Sequence, residues 1–448
     1  MRLDTLLSDL SDLTILRDPA QLRKLSLDYY HFSPILQPQL ADRRADAVIR
    51  PRDEAEVIRV AAACAQHRIP LTIRGAGTGN YGQCIPLEGG IVLDMTALDQ
   101  LLWLRNGVAR VQTGARLAAL DRQLQPQCWE LRMVPSTYQS ATIGGFIGGG
   151  SGGIGSITWG QLRDTGNLRA ARVVTVEESP RVLELRGHDV QTINHAYGCT
   201  GIIIELEIPL APAYRWTELA IGFGNLHTAC DFAAAIARAD GLIRKLVTVL
   251  EAAIVPMCPS LRHLPSGETA VILILAEASR EDLEPFLADW GGTVHLERGP
   301  DSSGASLMES SWNHTTLHAR AVDPVWTYLQ SVLPEEADFG MIRRGRAQFP
   351  DEVLWHLEFL RFGGRPRAAA LPLIRFTTPE RLQQIVHWFE EQGAILFDPH
   401  TYWLEDGGMK QVNPAQVAFK VAADPYGLLN PGKMRGWIEH VAGIGQTR

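Results

Sequence analysis

The chain has 448 residues, more than one hydrophobic core ordinarily supports, so two domains, continuous or interleaved, are expected. With 46% hydrophobic and 21% charged residues, the composition is that of an ordinary soluble globular protein, which excludes disorder on a large scale. A net charge of −8 with no basic run excludes nucleic acid and anionic membrane surfaces as main partners and leaves a small molecule. The six cysteines (Cys64, Cys84, Cys128, Cys199, Cys230 and Cys258) contain no C-x-x-C pair, so no metal is expected, and they read as reduced thiols of a cytoplasmic protein. Asp4, Asp9 and Asp12 interrupt the apolar pattern that a signal peptide requires, and the longest apolar strand, 270–276, is far shorter than the ~20 residues that span a bilayer.

Taken in order, residues 1–46 give an amphipathic helix and a surface-following lead-in punctuated by Pro34 and Pro38. AVIRP at 47–51 is a strand, 53–67 an alanine-rich amphipathic helix capped by Asp53, and PLTIRG at 70–75 a second strand, which together make a β-α-β unit. The second strand runs into a glycine-rich loop, GAGTGNYGQCIP at 75–86, and then into the strand 91–94. Gly75, Gly77 and Gly82 have the flavour of a dinucleotide fingerprint, but four residues separate the last two and no helix begins there. No Gly-Lys-Ser/Thr occurs either, so a phosphate here is expected to rest on loop backbone alone.

After strands in LLWL and VARVQTG and a helix at 115–125 comes the central stretch 135–160, PSTYQSATIGGFIGGGSGGIGSITWG. Eight of the twelve residues 144–155 are glycine, interleaved with Phe146, Ile147 and Ile154, where a flexible linker would carry Ser, Pro and charge. Glycine at this density lets backbone N–H groups approach an anionic ligand, so an ordered phosphate-binding loop is expected. Strands at 168–176, 182–185 and 201–210, with a helix around 189–196, point to an α+β domain. From about residue 214, helices 226–240, 280–290 and 379–392 alternate with strands 245–253, 270–277, 354–362 and 371–376, consistent with an antiparallel sheet covered by helices on one face. The turn-rich segment 419–434 reads as a return to the first domain.

Three motifs, IRGAGTGNYG at 73–82, PSTYQSATIGG at 135–145 with GCTGIIIELEIPL at 198–210, and DPYGLLNPGKM at 424–434, occur in the order found in the vanillyl-alcohol-oxidase or PCMH-type FAD-binding flavoproteins, which the chain resembles. The resemblance implies an α+β fold: a two-subdomain PCMH-type FAD-binding domain at 1–212, an antiparallel α+β substrate or cap domain at 213–412, and a returning segment at 413–448. It implies that Arg74, Gly75, Gly77, Thr78, Gly79 and Asn80 wrap the FAD pyrophosphate, and that Pro135, Ala141, Thr142, Gly144 and Gly145 form the second contact. Ile203 would meet the adenine through its backbone, and Asn430 and Lys433 would sit in the segment that returns to the flavin. Where covalent members carry a tethering histidine or cysteine this chain has Thr78 and Ser140, so noncovalent FAD is expected, with Cys84 read as packing. The D-lactate and glycolate dehydrogenase group also holds FAD noncovalently, but its H-x-G-D-G-N metal motif has no counterpart here.

The resemblance implies a redox enzyme that moves a hydride from a small alcohol or 2-hydroxy acid to flavin N5, with the electron acceptor unspecified. The alternatives are a sugar or aromatic alcohol as substrate, distinguished by whether Arg320 and Arg361 face the flavin, and a flavin-binding subunit without turnover. Histidine is the natural acid or base. His400 and Tyr402 are expected as acid/base and orienting hydroxyl, and His314 and Arg320 as ligands of an anionic substrate. His314 and His318 would share a helix face; His356 and Glu358, sharing a strand face by period two, either look onto a flavin or are solvated positions of a half-exposed sheet, the second being the reading preferred.

Overall fold

In the computed structural model, which describes residues 2–335, 339–408 and 411–446, the strands form four sheets among the described residues. In the first, Ala47–Ile49, Ile91–Asp94 and Leu71–Arg74 run parallel, with Ile15–Leu16 antiparallel at one edge. Parallel neighbours need a crossover, and Glu54–His67 supplies it. Asp53 caps that helix by accepting from Glu56 N at 2.9 Å, and Arg68 ends it in the left-handed region at φ 56°. The loop after Leu71–Arg74 reaches Ile91–Asp94 with no helix between, as its spacing requires.

The second sheet is antiparallel, in the order Leu101–Arg105, Val108–Gln112, Ile202–Pro212, Ala170–Val174, Val182–Arg186, with Trp129–Leu131 on the far end of Ile202–Pro212. Asn106 and Gly107, both at positive φ (50° and 70°), make the two-residue hairpin turn that joins its first two strands. The third is an eight-stranded antiparallel sheet built from residues 216–396. Period-two alternation divides its side chains. Leu219, Ile221, Val247, Val249, Leu357 and Phe359 pack under helices Leu226–Arg238 and Pro379–Glu391, whereas Ala220, Leu246, Ile272, Leu360 and Ala369 face the glycine stretch and the second sheet. The ligand space lies on this second side.

Three local expectations change. The central glycine stretch contains a helix, Ile143–Gly149, whose poor intrinsic propensity is offset by burial of Ile143, Phe146 and Ile147 and by Thr142 as N-cap. The helix expected at 189–196 is a 3-10 segment, Gly187–Thr192, because His195 and Tyr197 take positive φ (49° and 52°) and turn their N–H groups onto Ile147 O (2.9 Å) and Gly148 O (2.8 Å). Residues 371–376 leave the main sheet at Pro372, and Leu373–Arg375 joins a separate three-stranded sheet with Trp326–Tyr328 and Val353–Leu354. No described helix is long and apolar enough to cross a membrane.

Candidate active site

A cavity of about 270 Å³ separates the two glycine-rich loops from the eight-stranded sheet. Gly75, Gly77, Thr78, Gly79 and Asn80 line one side with Pro135, Ala141, Thr142, Gly144, Gly145 and Ile203, and Trp312, Asn313, His314, Leu360 and Ala369 line the other. The glycines are needed for close approach: a Cβ on Gly75 would collide with Thr142 Oγ1, and one on Gly144 with Thr113 Oγ1.

Among the described residues, no backbone N–H from Gly75 to Asn80 donates to a protein acceptor. A run of unpaired donors on an ordered loop is what a phosphate-bearing ligand satisfies. No Asp or Glu side chain among the described residues lines the cavity, so nothing there repels an anion. The residues present fit a diphosphate-linked cofactor.

The loop is held from behind by the C-terminal segment. Lys433 Nζ donates to Gly82 O (2.7 Å), Gln83 O (2.8 Å) and Ile85 O (2.6 Å), and Asn430 Nδ2 donates to Gln83 O (2.7 Å) and Tyr197 O (2.6 Å). Asn430 N reaches Leu71 O at 2.9 Å, which lays the segment along the edge of the first sheet. Burial lowers the Lys433 ammonium to about 8. Arg74 also points away from the cavity, with Nη1 on Leu27 O (2.5 Å) and on Cys84 Sγ (3.3 Å). Asp28 lies in the same buried cluster, and desolvation raises its carboxyl to about 6 against the opposing pull of Lys433 and Arg74. Arg74, Asn430 and Lys433 therefore brace the loop, where the sequence pattern had suggested that they meet the cofactor.

The opposite wall is made of side chains. Trp312, a bulky residue at φ 49°, stands just before the helix His314–Val322. Glu358 holds this strained turn: Oε1 accepts from Trp312 N at 2.6 Å and from His356 Nε2 at 2.8 Å, and Oε2 accepts from Thr248 Oγ1 at 2.6 Å. Thr315 Oγ1 donates to Trp312 O at 2.8 Å and lies 2.9 Å from His356 Nδ1. His356 and Glu358 do share a strand face, but that face is fully buried under the turn and not solvated. The turn presents three buried polar atoms with no protein partner, namely Trp312 Nε1, Asn313 Oδ1 and His314 Nδ1. Burial first, and then the neighbouring His318, lower the His314 imidazole to about 4, so it is neutral at physiological pH. His314 and His318 share the helix face, rings 6.2 Å apart, and His318 Nε2 donates to Glu309 O at 2.7 Å.

The remaining expected residues lie elsewhere. His400 is buried with both nitrogens used, Nε2 donating to Tyr328 O at 3.0 Å and Nδ1 accepting from the Ser33 hydroxyl at 2.8 Å, so no ring atom is left for substrate. Tyr402 packs with Tyr30, Leu36, Leu40 and Ile85 behind Gly82. Arg320 is spent on Pro324 O (2.9 Å) and Trp326 O (2.7 Å), and Arg361 on Gly364 O (3.3 Å) and Asp240 (3.1 Å). Cys84 lines the cavity, and burial raises its thiol. Trp312, Asn313, Gln330 and Phe397 also line the cavity and carry no sequence signal of their own.

The family described as FAD binding domain matches residues 45–182, which include the first loop and the central glycine stretch. This match places an FAD-binding domain in the first part of the chain and agrees with the resemblance to the PCMH-type flavoproteins. The chain's cofactor is FAD, and its α+β fold is of the PCMH type. The chain is 29% identical to the glycolate oxidase subunit GlcD of Escherichia coli (strain K12), over 86% of this chain and 83% of that protein. It is 25% identical to the protein of the same name from Bacillus subtilis (strain 168), over 87% and 88%, and 27% identical to a D-lactate dehydrogenase of Archaeoglobus fulgidus, over 47% and 49%. Among solved structures, an alkyldihydroxyacetonephosphate synthase superposes with TM-score 0.73 at 15% identity, covering 96% of this chain and 85% of that one. A chitooligosaccharide oxidase superposes with TM-score 0.68 at 13% identity, covering 96% and 98%, and both likenesses speak to the fold alone.

Proposed function

We propose that the protein oxidises the carbinol C–H of a small alcohol, with His314 as the base. The observation that carries this reading is His314 Nδ1, a buried, partnerless imidazole nitrogen on a residue lining the cavity opposite the glycine loops. The N–H groups of Gly75 to Asn80 bind the diphosphate of FAD, and Thr142, Gly144 and Gly145 form the second contact. Bound FAD supplies the two-electron acceptor at N5 that no side chain provides. As the C–H leaves with its electron pair, the O–H proton passes to His314 Nδ1 and a carbonyl remains. A protonated carbonyl is a far stronger acid than an imidazolium, so a base of lowered pKa suffices.

The pH dependence follows from that pKa. His314 is competent while neutral, so the rate of flavin bleaching holds level above about 5 and falls as pH drops through about 4. An ordinary histidine would place the fall near ~6.5. Glycolate and D-lactate, named in the titles of the relatives, are the first compounds to test. Anaerobic bleaching of the holoenzyme over a panel of alcohols and 2-hydroxy acids tests the reading. Bleaching with an acid limb near 4 supports it, and a flavin that dithionite reduces but no alcohol does would remove it in favour of a flavin-binding subunit without turnover.

A further inference from the structure

We propose that the substrate is an uncharged alcohol, oriented by hydrogen bonds to Trp312 Nε1, Asn313 Oδ1 and His314 Nδ1. This rests on the dehydrogenation reading above and narrows it. No Lys or Arg among the described residues lines the main cavity, just as no Asp or Glu does. The two arginines that the sequence offered for a carboxylate, Arg320 and Arg361, are occupied elsewhere. The N–H groups of the first loop belong to the diphosphate under the same reading.

Among the described residues, the unpartnered polar atoms on residues lining the cavity are Trp312 Nε1, Asn313 Oδ1, His314 Nδ1, Ser331 Oγ, Tyr197 OH and His195 Nε2, none of them on a Lys, Arg, Asp or Glu. A hydroxyl both donates and accepts, so it pairs with that set. A carboxylate only accepts, and with no cation among the described lining residues it would leave water without a counter-charge. Leu360, Ala369 and Leu371 supply the apolar floor beside it.

Among the described residues, one competing cation stands beside the site. Arg163 lines an adjoining cavity of about 180 Å³ that shares Gly150, Ser151, His195 and Phe397 with the main one, and its Nε donates to Gln161 Oε1 at 2.8 Å. A substrate long enough to reach it from the reacting carbon would have an anion anchor.

The test uses the holoenzyme under anaerobic conditions with matched pairs: glycolate against glycolamide, lactate against lactamide, and glycerate against glycerol. Binding is read from perturbation of the flavin spectrum, and turnover from bleaching. The proposal expects the neutral member of each pair to bind at least about tenfold tighter and to bleach faster. It also expects Trp312→Phe and Asn313→Ala each to weaken the neutral member by about three- to tenfold, the worth of one lost hydrogen bond, with FAD content unchanged. Tighter binding of the acids overturns it, and a selective loss of that binding in Arg163→Met would move the site to the adjoining cavity. Unchanged affinity in both Trp312→Phe and Asn313→Ala also overturns it. If dithionite bleaches the flavin and no compound of either kind does, the dehydrogenation reading falls and takes this proposal with it.

Discussion

The two walls of the cavity are built on opposite principles. The loop wall offers backbone: the six residues from Gly75 to Asn80, together with the glycines of the central stretch, present N–H groups and open space. The cap wall offers side chains: Trp312, Asn313 and His314, on a turn whose geometry is set by a buried carboxylate 46 residues further along the chain. Each wall is braced from behind by a buried charge, Lys433 for the loop and Glu358 for the turn. Backbone recognition suits a cofactor common to a whole superfamily, whereas side-chain recognition suits a substrate that differs between its members.

The sharpest way to separate the walls is to remove the brace of the first. Lys433→Met leaves the carbonyls of Gly82, Gln83 and Ile85 without their shared donor, and a loss of about 3–5 kcal/mol in stability is expected, with loss of retained FAD. Thermal unfolding and the flavin-to-protein absorbance ratio check it. Asp28, beside the same brace, gives a smaller effect of defined sign. Its folded pKa, about 6, lies above its ordinary 3.8, so its contribution to stability is complete below about 4 and is lost as pH rises through about 6. Asp28→Asn keeps the acceptor for Tyr30 N and removes the titration, so relative to the variant the wild type should lose about 2–3 kcal/mol between pH 4 and pH 6. Denaturant midpoints across that window measure it.

On the cap wall, Glu358→Gln keeps the volume and an acceptor for Trp312 N but removes the charge that gathers three donors. A rise in substrate KM of about tenfold with unchanged FAD content is expected, equivalent to ~1.4 kcal/mol. Steady-state kinetics beside the flavin spectrum distinguish this from damage to the loop wall. The smallest effect belongs to His400→Gln, which should cost about 1–2 kcal/mol in unfolding for the bonds to Ser33 and Tyr328 and leave the bleaching rate within about twofold. A drop in rate comparable to that of a His314 variant would return the acid/base role to His400.

The difference between the walls also explains what the sequence makes legible. Glycine spacing, the strand before the first loop and the terminal DPYGLLNPGKM are local patterns, and local patterns carry backbone chemistry. Even there, the resemblance puts Arg74, Asn430 and Lys433 at the cofactor, because a cation or amide next to a phosphate loop looks the same whether it meets the ligand or carbonyls behind the loop. The helix Ile143–Gly149 escapes for a related reason, since glycine signals loop and only tertiary burial makes it helical.

The cap wall is encoded by distant contacts. His400, expected as acid/base, forms instead a buried link between Ser33 and Tyr328. His314 stands in a polar cluster that the sequence does single out, as a ligand of an anion and not as a base. Nothing in residues 310–315 announces the positive φ of Trp312; that depends on Glu358, whose alternation with His356 is equally compatible with a wet sheet face.

The central claim is that this cavity holds FAD and that His314 takes the substrate proton. The most direct measurement is anaerobic, single-turnover flavin bleaching of wild type and His314→Ala loaded with equal FAD, using whichever alcohol of the panel reduces the wild type. The account predicts dissociable FAD, released on acid precipitation, in both proteins, and bleaching slowed by about 10²–10⁴ in the variant. Equal rates in the two proteins, or a purified protein that binds no FAD, would contradict it.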